Sequence, residues 1–206
     1  MLWCSGNASQ GYTGYHMIRL FIALDLPKEV KTYLSQIIED MKSKGANVKW
    51  VKADNIHLTM KFLGNTEPSK VDSIIESLNK AIHFTKPIET NLSLLGGFPN
   101  LTKPRVIWID IEKNRELIIN TAKDIESTLI DIGFEIENKK FTPHLTLGRV
   151  KDLKNFDNLD SYLQNLQLKS FDFNFESLSL IKSTLTQHGP IYKKLHTIQF
   201  SERFGD

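Results

Sequence analysis

The chain has a single cysteine, Cys4, among 206 residues. No intrachain disulfide can form, and metal sites built on several thiolates are excluded. No apolar run approaches the roughly 20 residues needed to cross a bilayer as a helix. Nor is there a surplus of one charge: 26 Lys and Arg face 24 Asp and Glu, a formal net charge of +2. That balance neither demands nor forbids a nucleic-acid partner, so any phosphate site has to be built from local basic groups. The segment 1–16 lacks the basic start and apolar stretch of a secretory signal. It is rich in Gly, Ser, Tyr and Asn and reads as a disordered or vector-derived leader ahead of Met17. The default expectation is a cytoplasmic, monomeric protein with no membrane segment, one domain spanning 17–206.

What is present is a pattern of short apolar strands and amphipathic helices. Ile18 to Leu26 reads as a strand, and Pro27 is well placed to open a helix. Val30, Tyr33, Leu34, Ile37, Ile38 and Met41 recur at helical spacing up to the stop at Gly45. Strands are expected at Val48 to Val51 and His57 to Leu63, a helix at Pro68 to Ile82, and a strand at Ile88 to Leu95. The order then restarts. Val106 to Ile111 is a strand, Asn114 a candidate helix cap, and Ile118, Ala122, Ile125, Leu129 and Ile132 an apolar stripe stopped by Gly133. His144 to Val150 is a strand and Asp152 to Leu166 a weaker helix. Strands at Leu168 to Phe175, Leu178 to Ser183 and Tyr192 to Phe200 close the chain, with a turn at Gly189-Pro190.

The two halves share one order, and Gly133 follows Gly45 by 88 positions while His144 follows His57 by 87. A repeated offset of this kind marks an internal duplication. The expectation is an α+β, two-lobed, pseudo-twofold fold. Antiparallel sheets face a central cleft and the helices lie outside.

Each half carries one His-x-Thr: His57-Leu58-Thr59-Met60 and His144-Leu145-Thr146-Leu147. Side chains alternate along a strand, so each His shares a face with its Thr while the apolar pair faces the core. One such motif is an ordinary structural pattern; two at equivalent places bring two imidazoles and two hydroxyls toward one cleft. That set suits displacement at phosphorus. One neutral and one protonated imidazole can serve as base and acid near neutral pH, and hydroxyls can donate to non-bridging oxygens. No cofactor or metal is required. The spacing is not HExxH, and no carboxylate adjoins either motif.

Around these motifs the sequence resembles the RNA 2′,3′-cyclic phosphodiesterases, or 2′-5′ RNA ligases, of the 2H phosphoesterase superfamily. The matching stretches include Arg19-Leu20-Phe21-Ile22-Ala23-Leu24, His57 to Gly64, Gly97-Phe98-Pro99, Phe141 to Arg149, Ser183-Thr184-Leu185 and Gly189-Pro190-Ile191-Tyr192. Met60 stands where the family more often has Leu.

The resemblance implies hydrolysis of cyclic phosphate ends to 2′-phosphomonoesters. His144 would activate water, His57 would protonate the 3′ oxygen, and Thr59 and Thr146 would hold the phosphoryl oxygens. Phe62 and Arg149, each five residues after its histidine, would flank the terminal base. Apart from the resemblance, Tyr192 follows a turn and reads either as a contact to the phosphate or nucleotide or as a structural strand residue. Substrates could be RNA ends, tRNA fragments or small cyclic nucleotides. Ligation in the same site, or RNA-end binding without turnover, are the alternatives.

Strand parity opposes Phe62 and Arg149, since five positions on is the opposite face; Gly64 and Gly148 offer places for a bulge. Among the remaining groups, Lys61 reads as a solvated lysine or a cleft charge. Ser183 reads as a cap or turn residue, and His83 and His196 as surface groups. His188 is a candidate for the cleft rim, and Lys103, Arg105, Lys139, Lys140 and Lys151 for the flank of an RNA path.

Overall fold

A computed structural model describes residues 16–82, 86–169, 171–187 and 189–201. The leader assigned to 1–16 lies almost entirely outside them, as do His83 and His188. The first half runs β1 (Ile18–Leu24), α1 (Lys28–Lys42), β2 (Val48–Trp50), β3 (Leu58–Thr66), α2 (Val71–Ile82) and β4 (Ile88–Phe98). The second runs β5 (Val106–Ile111), α3 (Arg115–Ile130), β6 (His144–Val150), α4 (Asp157–Asn165), β7 (Asp172–Phe175), β8 (Ser177–Thr186) and β9 (Gly189–Gln199).

The helices form where the apolar period is 3.6 and stop where it ends. In α1, Val30, Leu34, Ile37, Ile38 and Met41 are all buried, each burial contributing about 1.5–3 kcal/mol over the exposed state. Gly45 and Gly133, just past α1 and α3, adopt φ of 79° and 85°, a conformation that costs a side-chain-bearing residue but not glycine. Asn114 occupies the N-cap position of α3 but does not cap it. Its own backbone is left-handed, and its amide donates instead to the Glu89 carbonyl at 2.8 Å. The helix expected from Pro68 opens instead as a short 3-10 turn, Pro68–Lys70, that leads into α2.

All strand pairings are antiparallel, and the strands make one curled sheet in the order β7-β4-β5-β6-β3-β1-β8-β9, with β2 added beside β6. The expected two lobes are thus halves of a single sheet. The halves of the chain do not map simply onto them. β4, from the first half, pairs with β5, and β8, from the second, pairs with β1. Each lobe therefore borrows two strands from the other half of the sequence, β8 and β9 in the first and β4 and β2 in the second. The sheets of the two lobes are joined between β3 and β6 at one pair of residues, Leu58 opposite Leu145, both fully buried. Among the described residues no helix is long and apolar enough to cross a membrane.

Candidate active site

The bridge between lobes fixes the site. Leu58 and Leu145 turn toward the core, so His57, Thr59, His144 and Thr146 turn to the other face. The antiparallel register through Leu58 and Leu145 places His57 across from Thr146 and His144 across from Thr59. All four line one cleft of about 720 Å³, together with Phe62, Arg149 and Tyr192.

The parity conflict is resolved by a matched pair of bulges. On β3, Ala23 pairs with Thr59 and Ile22 with Lys61, which leaves Met60 without a partner. On β6, Trp108 pairs with Thr146 and Ile107 with Gly148, which leaves Leu147 without one. An extra residue in one strand reverses the alternation beyond it. Phe62, opposite Phe21, therefore shares the face of Thr59, and Arg149, opposite Val106, shares the face of Thr146. Phe62 is not a core aromatic: its side chain is 57% exposed at the cleft.

The same bulge sends Lys61 the other way. It borders the cleft, yet it is not solvated and its charge is already paired. It is 5% exposed, and its ammonium donates to Glu126 at 2.5 Å and to the Glu135 carbonyl at 2.9 Å. Glu126 also accepts the backbone N–H of Glu137 at 2.8 Å. β3, α3 and the segment leading to β6 are thereby tied at one point.

The two imidazoles are held alike. His57 Nδ1 lies 2.7 Å from the Asn55 carbonyl and His144 Nδ1 lies 2.7 Å from the Thr142 carbonyl. A carbonyl can only accept, so each Nδ1 carries the hydrogen. The tautomer is set and Nε2 is left to act on a proton in the cleft. Each ring also rests on two aromatic side chains. Phe21 stacks on His57 with centroids 4.7 Å apart, and Tyr192 meets it edge-on at 5.5 Å. Phe98 meets His144 edge-on at 5.2 Å, with Trp108 at 6.0 Å. Tyr192 arrives on the borrowed hairpin, in register with Ser183. Ser183 is thus a strand residue lining the cleft, not a cap. His196 is half-buried on β9, outside the cleft lining.

Burial against Phe21 and Tyr192 pushes His57 down from 6.5 to about 4, opposed by its hydrogen bond to Asn55 and by the charge of Asp25. At neutral pH His57 is therefore neutral in the free protein. Burial raises the Tyr192 phenol above its ordinary value, and the nearby positive charges of Arg149 and Arg19 partly offset that.

The sign of the His57 effect on stability follows from proton counting. The unfolded chain binds this proton at higher pH than the folded one, so this contribution is complete above about 6.5 and is lost as pH falls toward 4. We expect the ring resonances of His57 to titrate near pH 4 in the free protein by NMR and to move upward when inorganic phosphate is added. A midpoint near 6.5 without phosphate would contradict the burial described.

Six cations line the cleft without a carboxylate partner among the described residues: Arg19, Lys49, Lys52, Lys139, Lys140 and Arg149. Glu137 is the one carboxylate in that lining. Of the basic groups expected to flank an RNA path, Lys139 and Lys140 reach the cleft; Lys103, Arg105 and Lys151 are exposed elsewhere. Sequence reasoning passed over Arg19, Lys49 and Lys52. Arg19 had a signal, being two positions from Phe21 on β1; β2 was too short to show which lobe it joins. Gly148 explains how β2 packs there. A Cβ on it would lie 2.7 Å from the Trp50 ring and from Val48, so only glycine lets β2 close on β6.

A duplicated antiparallel sheet with one His-x-Thr per half, meeting in a single basic cleft, defines a two-histidine phosphoesterase. The model of the LigT-like phosphoesterase family matches this chain twice, at residues 24–108 and 109–192, which independently marks the duplication. The chain is 37% identical over 177 residues to the RNA 2′,3′-cyclic phosphodiesterase of Methanocaldococcus jannaschii, covering 85% of this chain and 97% of that one. It is 33% identical over 183 residues to the enzyme of the same name from Thermotoga maritima, covering 89% and 96%. The fold superposes on E. coli LigT complexed with 3′-AMP at a TM-score of 0.71, with 21% identity and 90% and 99% coverage. A Thermus thermophilus protein gives 0.75 at 23% identity, covering 90% of this chain and 100% of that one. The chain belongs to the LigT-like phosphoesterase family, and it is a phosphoesterase.

Proposed function

We propose that this chain opens RNA 2′,3′-cyclic phosphate ends to 2′-phosphomonoesters, with His144 as base and His57 as acid. The observation that carries the reading is the matched pair of imidazoles. Each has Nδ1 tied to its own backbone at 2.7 Å, each stands across from the other motif's Thr, and both lie in one cation-lined cleft. The names of the relatives from M. jannaschii and T. maritima support the substrate class. The 3′-AMP complex of E. coli LigT supports a nucleotide in a cleft of this fold.

In this reading the cyclic phosphate lies between the two rings. His144 Nε2 accepts a proton from water as the water oxygen bonds to phosphorus. The bond from phosphorus to the 3′ oxygen breaks, and His57 Nε2 delivers its proton to that oxygen. Thr59 and Thr146 donate hydrogen bonds to the non-bridging oxygens, where negative charge accumulates. Because burial holds His57 neutral in the free protein, its proton is acquired with the phosphate, whose negative charge favours the imidazolium. Phe62 and Arg149 flank the terminal base, an aromatic face and a guanidinium plane both suited to stacking, and Tyr192 closes the same end.

The test is an assay of purified protein on an oligonucleotide 2′,3′-cyclic phosphate in excess EDTA. Conversion to a 2′-phosphate, seen by chromatography against authentic standards, is the expected result. A 3′-phosphate product would place the acid at the wrong oxygen, and loss of activity in EDTA would remove the metal-independent mechanism.

A further inference from the structure

Resting on the function proposed above, we infer that Lys49, with Lys52, Lys139 and Lys140, forms a phosphate-tracking path that makes the end of an RNA chain, and not a mononucleotide cyclic phosphate, the preferred substrate. The first argument is a surplus of charge. A cyclic phosphate carries one negative charge, yet the cleft is lined by six cations without a carboxylate partner among the described residues, by Lys61 paired with Glu126, and by one carboxylate, Glu137. The chain as a whole carries only +2, so this is a local concentration, suited to a ligand with further phosphates.

The second argument is placement. Lys49 on β2 lies directly opposite Arg149 on β6, and both are exposed. Residues opposed across a ladder point to the same face, and like charges there destabilise the pair. No carboxylate among the described residues relieves either one. A phosphate bridging Lys49 and Arg149 turns that repulsion into two charge-assisted hydrogen bonds. Lys52 and Lys139 each stand five residues before their histidine, so the duplication sets one lysine at each approach to the site, and Lys140 extends the second. A neighbouring groove lined by Met17, Phe134 and Ile136 shares Lys61, Phe62 and Glu137 with the cleft, but it sets Glu67, Glu135 and Glu137 against Lys70 and a Lys61 already paired with Glu126. Its charge repels a phosphodiester chain, which leaves the lysine side as the exit.

The experiment compares a 2′,3′-cyclic mononucleotide with a pentanucleotide ending in the same cyclic nucleotide, over 50 to 300 mM KCl. The proteins are the wild type, Lys49→Gln and the triple variant K52Q/K139Q/K140Q. We expect wild-type kcat/KM to be about tenfold or more higher on the pentanucleotide at low salt. Lys49→Gln should lower that preference about threefold to tenfold, and each phosphate no longer neutralised should flatten the salt slope by about 0.7. Equal losses on both substrates, or an unchanged salt slope in both variants, would overturn the path. Absence of turnover by the wild type on either substrate would instead strike at the proposed function. Binding of a 2′-phosphorylated pentanucleotide against a 2′-phosphorylated nucleoside, read by fluorescence anisotropy and isothermal titration calorimetry, then tests the lysines by themselves. A preference that vanishes in the variants supports the path, and one that persists refutes it.

Discussion

Replacing either His57 or His144 by Gln is expected to lower turnover on a cyclic phosphate end by about 10²–10⁴. Each imidazole is asked to move one proton in the transition state, and neither an amide nor a nearby hydroxyl can substitute. Gln can keep a hydrogen bond near the Asn55 or Thr142 carbonyl, so the lobes should hold together and the loss should fall on kcat with affinity for a nucleotide product little changed. The double variant should be scarcely worse than the weaker single one, because an acid without its base has little left to contribute. Steady-state kinetics on the three variants, with product binding measured alongside, decides the matter. If both single variants keep more than a tenth of wild-type kcat, the two-imidazole account is wrong.

Lys61→Met is expected to destabilise the fold by about 3 kcal/mol, the low end for stripping one partner from a buried ion pair, because the Glu126 side chain is 25% exposed. For a chain of this size that corresponds to a fall in Tm of roughly 6–12 °C. The ammonium is 5% exposed and bonded to both Glu126 and the Glu135 carbonyl. Its removal leaves the Glu126 carboxylate with only the Glu137 N–H. The double variant K61M/E126L should recover most of the loss, since an apolar pair of similar volume needs no compensation. Calorimetry of the two single variants and the double closes the cycle. A Tm for Lys61→Met within 1 °C of wild type would show that the pair is solvated after all.

Much of the fold was legible because it is local. Helix α1 could be read from Val30 to Met41, β5 from Val106 to Ile111 and β6 from His144 to Val150, because a period of 3.6 or 2 depends only on neighbours in the chain. The exceptions have local causes of their own. Asn114 carries the right side chain for a cap, but its left-handed backbone aims the amide at Glu89 instead. Lys61 was misjudged because alternation was counted straight through Met60. A bulge cannot be seen without the strand it faces, and here Ile22 and Ala23 on β1 reveal it.

By itself, then, the sequence determined the element order, the duplication, and the two His-x-Thr motifs with their apolar backs. These follow from side-chain periodicity and a repeated offset, both properties of the chain read in one dimension. The tertiary structure alone decided which strand lies beside which. It lent β8 and β9 to the first lobe, so that Tyr192 meets His57, and β2 to the second, so that Lys49 faces Arg149. It also set the bulges that turn Phe62 and Arg149 into the cleft and gathered there six cations without a carboxylate partner among the described residues, from a chain of nearly balanced charge. Strand pairing joins residues more than a hundred positions apart, and no local pattern records which edge a strand will find.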